Sequence, residues 1–245
     1  MIPLHLLRTF PLLVALWGGP ATAQTIETVT EESSYSYMAD GKVSGAASRI
    51  VEAVLKQAAL DDYHMAIYPW ARAYDRALRD PNVMIYPILR TSDREALFKW
   101  VGRLDGTLPI LYKLRATARL PIAVLDDAMA YRVGVLRGDY REKYLHDLGF
   151  TRLVVSANNI ENFNRLLNGQ VQLIPMPERD ARKLCADAHL PFDTLEKAFA
   201  MDDLSREIYI AFSAGTADEV VERASAAFEQ LKAAGVIQRL LHEQP

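Results

Sequence analysis

Arg90, Thr91, Ser92 and Arg94 stand in a polar turn directly after an apolar run, Val83-Met84-Ile85-Tyr86-Pro87. A guanidinium is a planar fork of donors that matches a carboxylate in two bonds at once, so this turn reads as a holder for a small anion. Trp70, Tyr74, Tyr86 and Trp100 surround it in sequence and offer ring faces for stacking or packing. Other chemistries find less support. The histidines beyond the leader, His64, His146, His189 and His242, have no HxxxH or HExxH spacing, so no metal site is expected. Neither G-x-S-x-G nor a phosphate-cradling glycine loop occurs, and no organic cofactor is expected. Glu31 and Glu32 are adjacent, so on extended chain they point apart and do not form an acid/base pair. The single cysteine, Cys185, excludes an intrachain disulfide and reads as a small packed residue on a helix.

The chain that must position the arginine turn has 245 residues, half of them hydrophobic, with a net charge of −3. That length suits one large domain or two lobes, and that charge gives no basic face for nucleic acid. Met1 to Ala23 reads as a cleavable signal peptide. Arg8 precedes a short apolar run, Phe10 to Trp17, and Ala21-Thr22-Ala23 forms the A-x-A cleavage pattern. Loss of Arg8, the only Lys or Arg there, takes the charge from −3 to −4. The mature chain is expected to start at Gln24 and to work in a periplasm.

Residues 24–30 alternate as a strand and Asp40-Gly41 marks a turn. Ala47, Ile50, Val51, Val54, Leu55 and Ala58 keep helical spacing. A strand over 63–68 follows, then a helix opened by Pro69, stopped by Asp80-Pro81-Asn82, then a buried strand over 83–88. This β-α-β-α-β order implies parallel pairing. A second such run covers 131–175, with Asp139 an N-cap for a helix that Gly149 ends. The runs over 108–114 and 206–212 read as strands crossing between the two, and Thr216 with Glu219 as a capping box for the long helix to Ala234. The expected fold is α/β: two lobes with mainly parallel sheets joined by a two-strand hinge. Lobe 1 would take 24–112 plus 208–245, lobe 2 would take 113–207, and a ligand would sit between them.

The order of several segments resembles the periplasmic solute-binding proteins of polar-amino-acid ABC importers, the two-lobed type II receptors. They are the opening loop Glu31 to Tyr37, Gly41 and Gly45, then Pro69-Trp70-Ala71-Arg72-Ala73 and Arg90-Thr91-Ser92-Asp93-Arg94-Glu95. In the second half come 132–139, 166–172 and 231–240. The resemblance implies that Arg94 holds a carboxylate and Trp70 stacks on the ligand, with Gly138 and Asp139 approaching from lobe 2. Arg72, Glu32, Tyr35, Tyr86 and Thr91 are further candidates to line the cleft, and the resemblance offers Glu178 as the acid for an amine. Tyr86 and Leu89 replace the family's small hydroxyl residues, Asp139 replaces a hydroxyl, and Arg49 replaces an aspartate, all departures from a standard α-amino-acid site. The implied function is capture of a small amino-acid-like or carboxylate ligand, by a monomer, for an ABC permease and without turnover. The alternatives are ligand sensing for a membrane partner, or a dehydratase-like enzyme with Glu32 or Glu178 as its acid.

Overall fold

The computed structural model describes residues 25–117 and 120–242; the leader read over 1–23 lies outside them. The first half opens with β1 (Ile26–Thr30), a hairpin of β2 (Tyr37–Ala39) and β3 (Lys42–Ser44), and α1 (Ala46–Gln57). It continues through β4 (Tyr63–Ile67), α2 (Trp70–Arg79), β5 (Val83–Leu89) and β6 (Phe98–Thr107). β4 and β5 pair parallel to β1 on either side, as the alternation of strands and helices requires. β5 shows how sequence makes the layers. Met84 and Tyr86 face one side of the sheet, where they join Ile50, Leu55 and Phe228. Val83 and Ile85 face the other, where they join Trp70, Ala73 and Ala77 of α2. Alternating side chains that are apolar on both faces mark a central strand sandwiched between helices.

The chain changes sheet at Leu108. β7 (Pro109–Leu114) is the middle strand of a second, three-stranded sheet. β8 (Val133–Leu136), α3 (Tyr140–Asp147), β9 (Leu153–Ser156), α4 (Asn159–Leu167), β10 (Ile174–Pro177), α5 (Glu178–Asp187) and β11 (Leu195–Ala200) complete that half. β8 and β9 run parallel, whereas β10 and β11 flank β7 antiparallel. The chain then returns as β12 (Arg206–Ser213) and ends with α6 (Asp218–Ala233) and α7 (Val236–His242). β12 enters the first sheet, whose order is β4-β1-β5-β12-β6, antiparallel to both neighbours. Arg206 of β12 lies beside Thr107 of β6, so the two crossings between sheets are adjacent.

The capping box expected of Thr216 and Glu219 does not form. Thr216 does not cap α6, whose N-cap is Ala217 without a side-chain bond. The Thr216 hydroxyl is buried instead, accepting the Asn82 N–H at 3.2 Å and meeting the Ser213 hydroxyl at 3.0 Å. That contact fixes the turn before β5, the strand that leads to the arginine turn. Cys185 is buried on α5 among apolar side chains, as expected of a packed residue.

Candidate functional site

Between the two halves lies a cavity of about 70 Å³, partly open to solvent, room for roughly five water-sized volumes. The first half contributes the loop after β1, the start of α2, and the turn after β5. The second half contributes the starts of α3 and α5. The lining includes Glu31, Tyr35, Trp70, Arg94, Asp139 and Asp180. Each comes from a strand end or a helix start, the positions that parallel α/β order leaves facing a crevice.

Arg94 is buried at 7% exposure. Its backbone N–H closes the turn on the Thr91 carbonyl at 3.0 Å. Its guanidinium lies over the rings of Tyr74 and Trp70, at 4.9 and 5.5 Å from their centroids, and reaches the Leu89 carbonyl at 3.5 Å. Among the described residues no carboxylate comes within ion-pair distance of it. A charge this buried is ordinarily paired, so Arg94 presents donors to whatever enters the cavity. Trp70 is also buried, and its indole N–H crosses to the Gly138 carbonyl at 3.1 Å. Tyr35 turns its hydroxyl away to Asp105, donating at 2.7 Å.

The second half supplies an ion pair. Gly138, at φ +70°, makes the left-handed turn into α3. Asp139 then caps the helix, accepting the Arg141 N–H at 2.8 Å. The Arg141 side chain folds back on the same carboxylate with bonds of 2.6 and 3.1 Å, and donates a third to the Pro175 carbonyl at 3.1 Å. Burial disfavours the guanidinium charge, but Asp139, Tyr140 and Glu31 together outweigh it and hold Arg141 above its ordinary range. Asp180, in the first turn of α5, accepts the Ser34 N–H at 2.8 Å. Glu31 is half-buried and lines the cavity. Its carboxyl is pushed up to about 8, first by burial and then by the charge of Asp139, with Asp180 adding to this and Arg141 opposing it.

Contacts across the cleft hold the halves together. Besides Trp70 to Gly138 and Ser34 to Asp180, the Asn159 amide donates to the Glu32 carbonyl at 3.4 Å and Arg179 to the Leu241 carbonyl at 3.3 Å. Arg179 also stacks over Tyr35, and the Lys183 ammonium over Tyr37.

The structure brings Arg94, Trp70, Tyr35 and Asp139 to the cavity wall, with Gly138 at its edge bonded to Trp70. It places five other sequence candidates elsewhere. Glu32 faces a separate crevice beside Asn159 and Lys183; the acid in the cavity is Glu31. Glu178 is held at the surface by Arg182 and Lys197. Arg72 lies over the Tyr68 ring, 4.6 Å from its centroid. Tyr86 is fully buried on the α1 side of β5, donating to the Ser48 hydroxyl at 3.3 Å. Thr91 stays in the turn, where its carbonyl accepts the Arg94 N–H at 3.0 Å. Glu31, Arg141 and Asp180 escaped the sequence reading. Among the described residues no cluster of His, Cys, Asp and Glu is arranged to hold a metal, and no helix is long and apolar enough to cross a membrane.

No protein-family model matches this chain, and no curated protein sequence does. Solved structures do match. A histidine kinase sensor domain with similarity to periplasmic binding proteins superposes with a TM-score of 0.78 at 15% identity, over 89% of this chain and 94% of that one. The arginine-, lysine-, histidine-binding protein ArtJ from Geobacillus stearothermophilus gives 0.77 at 16% identity, over 91% and 97%. The amino acid ABC transporter substrate-binding protein AbpA from Streptococcus pneumoniae, bound to L-arginine, gives 0.76 at 15% identity, over 89% and 92%. The chain therefore has the two-lobed α/β fold of type II periplasmic binding proteins.

Proposed function

We propose, on the premise of that fold, that the protein is a periplasmic receptor that captures a small amino-acid-like solute between its two lobes. The observation that carries the reading is Arg94: a buried guanidinium, stacked on Trp70 and Tyr74, with no carboxylate partner among the described residues, facing the interlobe cavity. It anchors the ligand's carboxylate, while the acidic wall of Glu31, Asp139 and Asp180 favours a positive charge on the same molecule. The lobes divide at the adjacent crossings near Leu108 and Arg206. Ligand bridging them shifts an open–closed equilibrium toward the closed form. The closed monomer then docks on the permease of an ABC importer. A second reading, in which closure reports ligand to a signalling partner in the membrane, is favoured by the match to a kinase sensor domain.

Calorimetric titration with the twenty L-amino acids tests the reading. For the tightest of them, Arg94→Ala is expected to weaken binding about 10- to 150-fold, the worth of a charge-assisted pair of roughly 1.5–3 kcal/mol. Unchanged binding would remove Arg94 as the anchor. Trp70→Phe keeps a ring but deletes the bond to Gly138. One hydrogen bond of about 0.5–1.5 kcal/mol then leaves the closed form, so apparent affinity should fall about 2- to 10-fold. An equal or tighter Kd would show that the Trp70 bond does not favour closure.

A further inference from the structure

One face of α5 in the second lobe meets the opening loop of the first along a strip beside the cavity. Arg179, Asp180 and Lys183 stand close together at the start of that helix. Arg179 lies over the Tyr35 ring, 4.7 Å from its centroid, and donates to the Leu241 carbonyl of α7 at 3.3 Å. Asp180 accepts the Ser34 N–H at 2.8 Å. The Lys183 ammonium lies over the Tyr37 ring, 4.6 Å from its centroid. α5 is anchored in its own lobe by Ala181, Leu184 and Cys185, all buried in the second core. The loop is anchored in the other lobe by bonds that cross no cleft. The Ser33 N–H reaches the Ser36 carbonyl at 2.7 Å, and the Ala47 N–H reaches the Tyr35 carbonyl at 3.0 Å. The Ser48 hydroxyl donates to that of Ser36 at 3.0 Å, and the Tyr35 hydroxyl to Asp105 at 2.7 Å. Both sides of the strip are thus fixed before they meet, so joining them orders little chain.

We propose that this strip is a latch: Arg179, Asp180 and Lys183 hold the lobes together by protein contacts alone, so the receptor rests closed and admits solute only when it opens. Each contact has protein atoms on both sides, so it favours closure with or without a solute. A hydrogen bond to a charged group favours the closed form about 10- to 150-fold. A cation over a ring adds about 2- to 30-fold, the upper figure where water is displaced. Ser34 and Tyr35 are buried, whereas the Lys183 side chain keeps 23% exposure, so Asp180 and Arg179 contribute more than Lys183. The three share one helix and one loop, so their factors do not simply multiply. The latch changes how a solute is captured. Its entry rate is scaled down by the open fraction, while the closed geometry it needs is already the populated one. The inference takes the open–closed equilibrium of the capture reading and says where it rests, and its test uses no solute.

Amide hydrogen exchange of the solute-free protein, resolved by residue with NMR, tests the latch. The Ser34 N–H is bonded across the cleft, so its protection reports closure. The Ser33 N–H is bonded within the loop and reports the loop itself. In wild type, Ser34 should exchange at least about tenfold more slowly than an unstructured serine. Arg179→Met and Lys183→Met keep apolar stems on α5, remove the cations, and leave loop and Asp180 intact. Each should cut Ser34 protection at least about twofold, and the double variant at least about fourfold. Protection at Ser33 and along the buried face of α5 should stay at the wild-type level, showing both lobes folded. Ser34 unprotected in wild type, or equally protected in the double variant, overturns the latch. So does a loss at Ser33 as large as that at Ser34, which would place the change in the loop rather than between the lobes. None of these outcomes touches Arg94: the capture reading falls by calorimetry with ligand, the latch by exchange without it.

Discussion

Arg141→Met is expected to destabilise the protein by about 3–5 kcal/mol, read from the midpoint and slope of urea unfolding. Arg141 and Asp139 are 6% and 5% exposed, and the pair is joined by two side-chain bonds. Methionine replaces the volume but removes three donors at once. The Asp139 carboxylate keeps only the Arg141 backbone N–H, and the Pro175 carbonyl loses its side-chain partner. A buried charge stripped of its partner is the large part of the loss, since an intact buried pair contributes little net stability. Adding Asp139→Asn should therefore restore much of it, because asparagine still caps the helix and carries no charge. A loss below about 1 kcal/mol for the single variant would show that water reaches the pair and that the wall of the cavity is not dry.

Gly45→Ala is expected to have an effect of similar size, roughly 2–6 kcal/mol from backbone strain and overpacking together. Gly45 precedes α1 with φ 104° and ψ 167°, a region that side-chain-bearing residues essentially avoid. A Cβ there would stand 2.4 Å from the Tyr35 carbonyl oxygen. That oxygen accepts the Ala47 N–H at 3.0 Å, so helix and loop are locked together where the methyl would intrude. Either α1 loses its entry or the loop from Glu31 to Ser36 moves. Thermal unfolding should shift down by about 4–24 °C for a chain of this size. Ligand affinity should fall in parallel, because the displaced loop carries Glu31, Ser33 and Tyr35. A variant that melts with wild type would refute the locked geometry.

The first lobe was largely legible in the sequence. Apolar periodicity placed β1, α1, β4, α2 and β5, and their alternation implied the parallel pairing that the structure has. The arginine turn was legible too, because polar residues directly after a buried strand have few places to go. The acidic side of the cavity was not. Glu31 and Glu32 are chemically alike in a loop without period, and which one faces inward depends on how the loop meets Gly45, a contact made with the far end of a hairpin. Arg141 and Asp180 sit in helices whose sequences, Tyr-Arg-Glu-Lys-Tyr-Leu-His-Asp and Glu-Arg-Asp-Ala-Arg-Lys-Leu, are dense in charge. Such composition reads as a solvated face until a second lobe is laid against the helix start. Tyr86 shows the reverse. The alternation of β5 puts it with Met84 toward α1, and the family's pattern drew it to the cleft instead.

The insertion of β12 between β5 and β6 bears on how the chain assembles during synthesis. The second lobe is contiguous, from β7 to β11, and has all its strands once residue 200 has been made. The first lobe has by then been emerging for far longer, yet β6 has no neighbour to pair with until β12 arrives. Phe228 and the rest of α6 and α7, which cover α1 and one face of that sheet, come later still. The half translated first is thus the half completed last, and its closing contacts span more than a hundred residues of chain, a separation that slows folding.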